Sequence, residues 1–296
     1  MDYLQAIILG IVQGLTEFIP ISSTAHLVFA SRLTNLYEGH PEQITATIAV
    51  LQLGTLLAVF VYFAPDILSI TAAFVRDHWN LLTRKRKVRF SGTHGIRPIW
   101  LSEEAWLGWL IILGSIPIGV IGLIFKEVIE GAFTKNLWVI AVMLIAVAIL
   151  LAIAEAVGTQ RKEIKDFGLV DAITVGFAQV LALIPGASRS GSTIMGGLFA
   201  GQKREAAAKF SFLLMIPAIT ASGLLELKEA WSLLPQTSFV PLLIGTIVSA
   251  VVGYLSIWFL LSFLRKNSTA IFIIYRLVLG VTILALLWTN VITPQI

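Results

Sequence analysis

The chain has 296 residues, 57% of them hydrophobic and 13% charged, where soluble domains run about 45–50% apolar and about 25% charged. Too few charges remain to cover a water-soluble globule, so the fold class is an all-α polytopic membrane protein. The absence of cysteine excludes a disulfide scaffold, thiolate zinc and iron–sulfur sites, and a cysteine nucleophile.

Met1-Asp2-Tyr3 is not a basic n-region, so no cleavable signal peptide is expected. A spanning helix needs about 20 apolar residues to cross about 30 Å of hydrocarbon. Residues 3–12 are apolar, but Gln13, Glu17, Pro20, Ser22, Ser23, Thr24 and His26 follow before the chain turns apolar again. This pattern predicts a re-entrant helical hairpin with a polar tip, the alternative being a kinked spanning helix. Residues 44–64 form the first full span. Ile67, Ile70, Phe74, His78-Trp79 and Leu82 then recur at a spacing that suits an interfacial helix, ahead of a basic run from Arg84 to Arg89. Residues 105–125 and 137–154 are the second and third spans. Residues 172–184 are apolar but too short to cross, and Pro185-Gly-Ala-Ser-Arg-Ser-Gly-Ser-Thr193 separates them from apolar residues 194–200. This pattern predicts a second re-entrant hairpin, again with a kinked spanning helix as the alternative. Residues 210–225, 239–263 and 270–288 complete six transmembrane helices, the last containing Arg276.

The net charge of +4 is a topology signal and not a nucleic-acid patch. Fifteen basic residues fall on one side of this plan: Arg76, Arg84, Lys85, Arg86, Lys87, Arg89, Arg97, Arg161, Lys162, Lys165, Lys203, Arg204, Lys209, Arg265 and Lys266. Only Arg32, Lys126, Lys135 and Lys228 fall on the other, a positive-inside bias that sets the richer side in the cytoplasm. The first hairpin then enters from outside and the second from inside, each followed by three spans. An odd number of spans inverts the second unit, so residues 1–157 and 158–296 are expected to form an inverted repeat within one membrane domain. Such a plan puts a site near the midplane, where the broken segments meet. Gly10-Ile-Val-Gln13 before the first tip is echoed by Gly176-Phe-Ala-Gln179 before the second, and a weaker echo out of strict register pairs residues 111–117 with 212–217.

Ionisable residues at membrane depth cost about 2.5–3.5 kcal/mol on insertion scales and are functional candidates by default. Here they collect in the two tips. Gln13 and Glu17 are four apart and share a helix face. Ser188, Arg189, Ser190, Ser192 and Thr193 are interleaved with Gly186 and Gly191. The small residues let backbone N–H groups approach an anion, and an arginine fork matches phosphate oxygens. Together the tips read as a phosphate cradle facing an acid, an imidazole (His26) and hydroxyls. A hydroxyl can attack phosphorus, His26 can carry a proton, and Arg189 with a divalent cation can neutralise the phosphoryl oxygens. One carboxylate and one amide, Glu17 and Gln13, form a sparse metal site of the kind that suits Mg²⁺ with substrate phosphates. Other readings coexist. Glu17 with Arg189 could be a purely structural ion pair, Ser22, Ser23 or Thr24 could cap the following helix, and His26 could be a hydrogen-bonded structural residue. Arg276 could pair with Glu17, reach the site or snorkel, and Glu155 sits at a span end.

At these segments the sequence resembles the bacterial undecaprenyl-diphosphatase family of bacitracin-resistance phosphatases. The resemblance rests on Gln13-Gly-Leu-Thr-Glu17 continuing Phe-Ile-Pro-Ile-Ser-Ser-Thr-Ala-His26, and on Pro185-Gly-Ala-Ser-Arg-Ser-Gly191 followed by Ser192-Thr193. The stretch Phe210-Ser-Phe-Leu-Leu-Met-Ile-Pro217 and the span pattern extend it over nearly the whole chain. It implies removal of the terminal phosphate of undecaprenyl diphosphate, which recycles the carrier lipid for peptidoglycan synthesis and confers bacitracin resistance. It also implies a divalent cation, Mg²⁺ or Ca²⁺. By that likeness the metal-binding pair falls on Gln13 and Glu17, and the catalytic set on Glu17, Ser23, His26 and Arg189. Ser22, Thr24, Ser188, Ser190, Gly191, Thr193 and Arg276 are expected to bind substrate. The partners expected are a polyprenyl diphosphate and membrane lipids, with a homodimer left open, in a bacterial inner membrane with the site opening to the periplasm. Gln13 leaves one formal negative charge where the family motif allows two, and Ala25 replaces a glycine before the histidine. The main rival is a lipid flippase or transporter, since inverted repeats of broken helices are a transporter plan. A two-histidine lipid phosphatase is disfavoured because His40, His78 and His94 are read as loop residues.

Overall fold

The computed structural model describes residues 1–37, 40–83, 98, 100–125 and 136–294. Among them run eleven α-helices in the order α1 Tyr3–Phe18, α2 Ser23–Leu33, α3 Pro41–Tyr62, α4 Ala64–Leu82, α5 Glu103–Ile124, α6 Leu137–Val157, α7 Leu169–Val180, α8 Arg189–Phe199, α9 Arg204–Leu233, α10 Phe239–Leu264 and α11 Ala270–Trp288. Six of these, α3, α5, α6, α9, α10 and α11, are long and apolar enough to cross a bilayer, and they coincide with the six expected spans. Helix α9 starts six residues before the apolar stretch does. Its charged first turns are held by ion pairs of Arg204 with Glu155, of Lys209 with Asp66 at 2.6 Å and of Arg265 with Glu205 at 2.7 Å. The Arg84–Arg89 run, Arg97, His94, Lys126, Lys135 and the side chain of Lys228 lie outside the described residues.

Helix α4 has the amphipathic form its spacing predicts. Ile67, Ile70, Phe74 and His78 are partly buried, while Leu68, Val75, Trp79 and Leu82 are exposed. His78 is therefore a helical residue and not a loop residue. Its Nδ1 lies 2.6 Å from the carbonyl of Phe74, and its Nε2 accepts from Trp109 Nε1 at 3.1 Å. Buried Asp77 accepts from the Ser102 amide at 2.7 Å, which ties α4 to the start of α5.

The two broken regions each fold back on themselves. Gln5 near the start of α1 donates through Nε2 to the carbonyl of Thr34 just past α2, at 2.8 Å, so the unit begins and ends together. In the second, Gln202 just past α8 donates to Asp171 at the start of α7 at 3.4 Å. There Lys162 also bridges to Asp171 at 3.0 Å. The loops gather at two opposite ends of the bundle. Met1 and Tyr37 both reach Ser238, Arg32 reaches Thr293, and the Leu137 amide reaches Pro294. At the other end Glu155 meets Arg204 and Thr269, and Lys203 meets Glu163. The described basic residues Arg161, Lys162, Lys165, Lys203, Arg204, Lys209, Arg265 and Lys266 belong to this second end, opposite Arg32.

Packing between the halves is crossed, and glycine makes it possible. Helix α1 lies along α10, and α7 lies along α5. A Cβ on Gly10 would collide with the backbone carbonyl of Gly245, and one on Gly176 would meet the carbonyl of Gly114 at 2.5 Å. The two echoed glycines thus sit at equivalent helix crossings, where main chains touch. Gly119, on α5, has open space around its added Cβ. Gly10→Ala should force α1 off α10 and lower the melting temperature in detergent, a cost of about 1–3 kcal/mol. Gly119→Ala should leave melting unchanged or raise it, since alanine is the better helix former by about 1 kcal/mol. Equal behaviour of the two variants in a thermal melt would show that the crossing is not tight.

Candidate active site

The tips form where α1 and α7 end. Pro20 and Pro185 supply no amide to continue a helix, and the chain re-enters α-helix at Ser23 and Arg189. The residues before these new helices, Ser22 and Ser188, both have left-handed backbones, with φ of 76° and 68°. Non-glycine residues seldom occupy that region, and holding one there costs about 1–3 kcal/mol. Both serines are N-caps, yet only Ser188 caps with its side chain, accepting from the Gly191 amide at 3.1 Å. The capping role expected in the first tip is absent. Ser22 Oγ is buried and has no hydrogen-bond partner among the described residues.

Glu17 is the centre of the cluster. It is 4% exposed, accepts from Gln13 Nε2 at 3.0 Å and from Ser23 Oγ at 2.9 Å, and lies 3.9 Å from Arg189 Nη1. Ser23 and Arg189 are the first residues of α2 and α8, so the two re-entering helices aim corresponding positions at one carboxylate. A closed ion pair would bring guanidinium and carboxylate to about 2.7–2.9 Å. Here the contact is looser, and Arg189 Nε and Nη1 are buried without hydrogen-bond partners among the described residues. This fork is turned toward an acid and left with donors to spare, unlike a finished structural pair. Ser190 touches the first tip by donating to the Ile19 carbonyl at 3.5 Å, and it shares a 3.2 Å hydroxyl contact with Ser188. Gly191 is closely packed, since an added Cβ would sit 3.2 Å from Arg276 Nη1 and from Ser188 Oγ and would need both to give by a few tenths of an ångström.

His26 lies one turn into α2. Its Nδ1 is 2.7 Å from the Ser22 carbonyl, and its Nε2 is 2.6 Å from the hydroxyl of Tyr275. Three residues expected at the site are placed differently. Thr24 is exposed. Thr193 is fully buried, donates to the Arg189 carbonyl at 2.8 Å and contacts Ser211 of α9, so its hydroxyl serves the α8–α9 packing. Arg276, also fully buried, donates to the backbone carbonyls of Pro20, Met143, Leu144, Gly186 and Ala187 at 3.0–3.3 Å. It neither pairs with Glu17 nor snorkels; it fastens both tips to α6. Gly186 must be glycine beside it, since φ is +91° and a Cβ would strike the backbone of Ile140.

Two contributors escape the sequence pattern. Thr55 of α3, fully buried, receives a 3.4 Å contact from Gln13 Nε2, and Tyr275 reaches His26 across 249 residues. The only sequence signal for Tyr275 was its place beside Arg276. A cation has limited but suitable donors. Among the described residues no three His, Cys, Asp or Glu side chains cluster. However, Gln13 Oε1 is buried without a partner next to the Glu17 carboxylate, an orphaned oxygen of the kind a hard cation takes up. One carboxylate and neutral oxygens leave most of the coordination sphere to phosphate and water, as Mg²⁺ prefers.

The Phe210–Pro217 stretch backs this cluster. Phe212 meets Phe18 edge-on at 5.3 Å, Ser211 meets Thr193, and Phe210 meets Phe167 at 5.4 Å. Residues 6–282 match the family described as bacitracin resistance protein BacA. The undecaprenyl-diphosphatase of Syntrophobacter fumaroxidans is 51% identical over 289 residues, which cover 97% of each chain. Those of Chloroherpeton thalassium and Prosthecochloris aestuarii are 46% and 44% identical. The first alignment covers 97% of both chains, and the second covers 98% of this chain and 99% of its relative. On both counts the chain belongs to the bacitracin resistance protein BacA family.

Proposed function

We propose that the chain hydrolyses undecaprenyl diphosphate to undecaprenyl phosphate and inorganic phosphate in a bacterial cell membrane, with Glu17, Ser23, His26 and Arg189 as its reacting set. Its relatives carry the name undecaprenyl-diphosphatase. The observation that carries the reading is Arg189, a partly buried guanidinium at the start of a helix whose buried Nε and Nη1 have no hydrogen-bond partner among the described residues, facing a carboxylate that already accepts a hydroxyl proton. The fork and the α8 amides bind phosphoryl oxygens. Glu17 Oε2 accepts from the oxygen at the Ser23 position, so the carboxylate takes the proton that a nucleophile there releases. Ser188, Ser190 and Gly191 line the same cradle. Glu17 with the Gln13 amide oxygen would hold a divalent cation, Mg²⁺ or Ca²⁺, which when bound neutralises charge on the phosphoryl oxygens.

The paired ends of each broken unit support two re-entrant hairpins, and the crossed packing of α1 on α10 and α7 on α5 supports the inverted repeat of residues 1–157 and 158–296. The end rich in basic residues is the cytoplasmic one by the positive-inside rule. The first tip is then reached from the periplasm. A cysteine at exposed Thr24 in this cysteine-free chain should react with an impermeant maleimide in intact cells. Labelling only after lysis would reverse the orientation.

Phosphate release from C15 and C55 prenyl diphosphates by purified protein in detergent should be present, and it should vanish with EDTA. Glu17→Gln should keep its melting temperature while turnover falls by about 10²-fold or more, the scale of a lost acid–base group. An active variant, or one inactive only through unfolding, would count against the role of Glu17. Arg189→Lys keeps the charge but not the fork, and its turnover should drop below about a tenth of wild type, a barrier change of more than ~1.4 kcal/mol. Retention above that level would mean that charge alone suffices.

A further inference from the structure

The contacts of His26 fix more than its position. Its Nδ1 lies 2.7 Å from the Ser22 carbonyl, and a carbonyl oxygen can only accept, so Nδ1 carries the hydrogen. A neutral imidazole has one N–H, which leaves the lone pair on Nε2. The Tyr275 hydroxyl, 2.6 Å from Nε2, therefore donates to that lone pair. The two rings stack, with centroids 5.6 Å apart and planes 12° from parallel. The imidazole is thus held at both nitrogens, with the phenol ring nearly parallel to it.

We propose that Tyr275 is a positioning residue for His26: the Ser22 carbonyl sets the Nδ1–H tautomer, and the phenol holds the ring at Nε2, the nitrogen that gains and loses the proton. A phenol suits the task because its oxygen both donates and accepts. With neutral His26 the phenol gives its hydrogen to Nε2, and with the imidazolium the Nε2–H is given to the phenol oxygen. To take a proton from the reacting group, Nε2 first gives up the phenol hydrogen, which turns aside; the contact then re-forms with the phenol oxygen accepting, so the ring changes charge without turning. Tyr275 is itself placed by its neighbour, since Arg276 fastens the same turn of α11 to the Pro20 carbonyl at 3.3 Å. The kinetic part of this inference rests on the phosphatase reading above; the tautomer part does not.

Tyr275→Phe keeps the stacking ring and removes only the hydroxyl. In the wild-type background it should lower kcat by about tenfold, the scale of one hydrogen bond to a reacting group, with KM and melting temperature unchanged. In a His26→Ala background the same substitution should change nothing, because a group that acts only through His26 has nothing left to act on. ¹⁵N spectra of histidine-labelled protein in detergent, with the His26 signals assigned by their loss in His26→Ala, should show protonated Nδ1 and bare Nε2 in neutral wild type, and in Tyr275→Phe the same tautomer with the Nε2 signal shifted by the lost hydrogen bond. An equal loss of kcat in both backgrounds, or a wild-type His26 protonated at Nε2 when neutral, would overturn the proposal. A wild-type protein that releases no phosphate from a prenyl diphosphate would remove the phosphatase reading, while the spectra would still decide the role of Tyr275.

Discussion

A helix broken inside a bilayer exposes carbonyls that no water can satisfy, and each one left bare costs several kcal/mol. This chain breaks two helices and brings both breaks to one side chain. Arg276 brings its donors to Pro20 in the first tip, to Gly186 and Ala187 in the second, and to Met143 and Leu144 in α6. A guanidinium is suited to this because its N–H groups radiate in a plane and never lose their charge. The carbonyl dipoles surround the cation in turn, which lets it lie fully buried. The tips can approach one another only because this staple makes their irregular backbone tolerable.

The approach of the tips creates the polar cluster. The strained serines, Ser22 and Ser188, turn the chain so that α2 and α8 begin at neighbouring points, and their first side chains, Ser23 and Arg189, converge on Glu17. The two tips occupy equivalent positions in their units but carry different chemistry. The first brings acid, hydroxyl and imidazole, and the second brings the fork and the open helix start. Two tips unequal in composition give what a displacement at phosphorus requires, with charge neutralisation on one side and proton handling on the other.

The six spans, the two broken regions and the composition of both tips were legible because hydropathy and residue type are local properties. Contacts closed over long separations were not. Tyr275 lies in an apolar stretch and meets His26 only through the fold, and Thr55 meets Gln13 in the same way. From the sequence Arg276 could pair with Glu17, bind substrate or snorkel, yet in this chain its partners are carbonyls exposed by helix breaks. From the sequence Thr193 is expected to bind substrate beside Arg189. It follows Arg189 by four residues, but its hydroxyl bonds back to its own helix and to Ser211 on α9, so proximity in the motif did not give proximity in the cluster. The echo of Gly10 by Gly176 was visible, while its meaning, two crossed helix contacts at Gly245 and Gly114, required the tertiary structure.

The same architecture bears on the choice between a hydrolase and a carrier. Alternating access moves one repeat against the other around a fixed site. Here each hairpin leans on a span of the opposite half at main-chain distance, and the staple joins both tips to α6. A rocking motion would have to open the glycine contacts of both crossings and strip buried carbonyls of their donor. The cost of baring even two such groups exceeds the few kcal/mol by which alternating states usually differ. A lipid phosphatase needs no such motion. Its substrate diffuses to the site in the bilayer and leaves the same way, so rigidity at the tips is compatible with turnover and keeps the reacting groups in register. The constraint that makes two broken helices tolerable thus favours chemistry at a fixed place over transport through it.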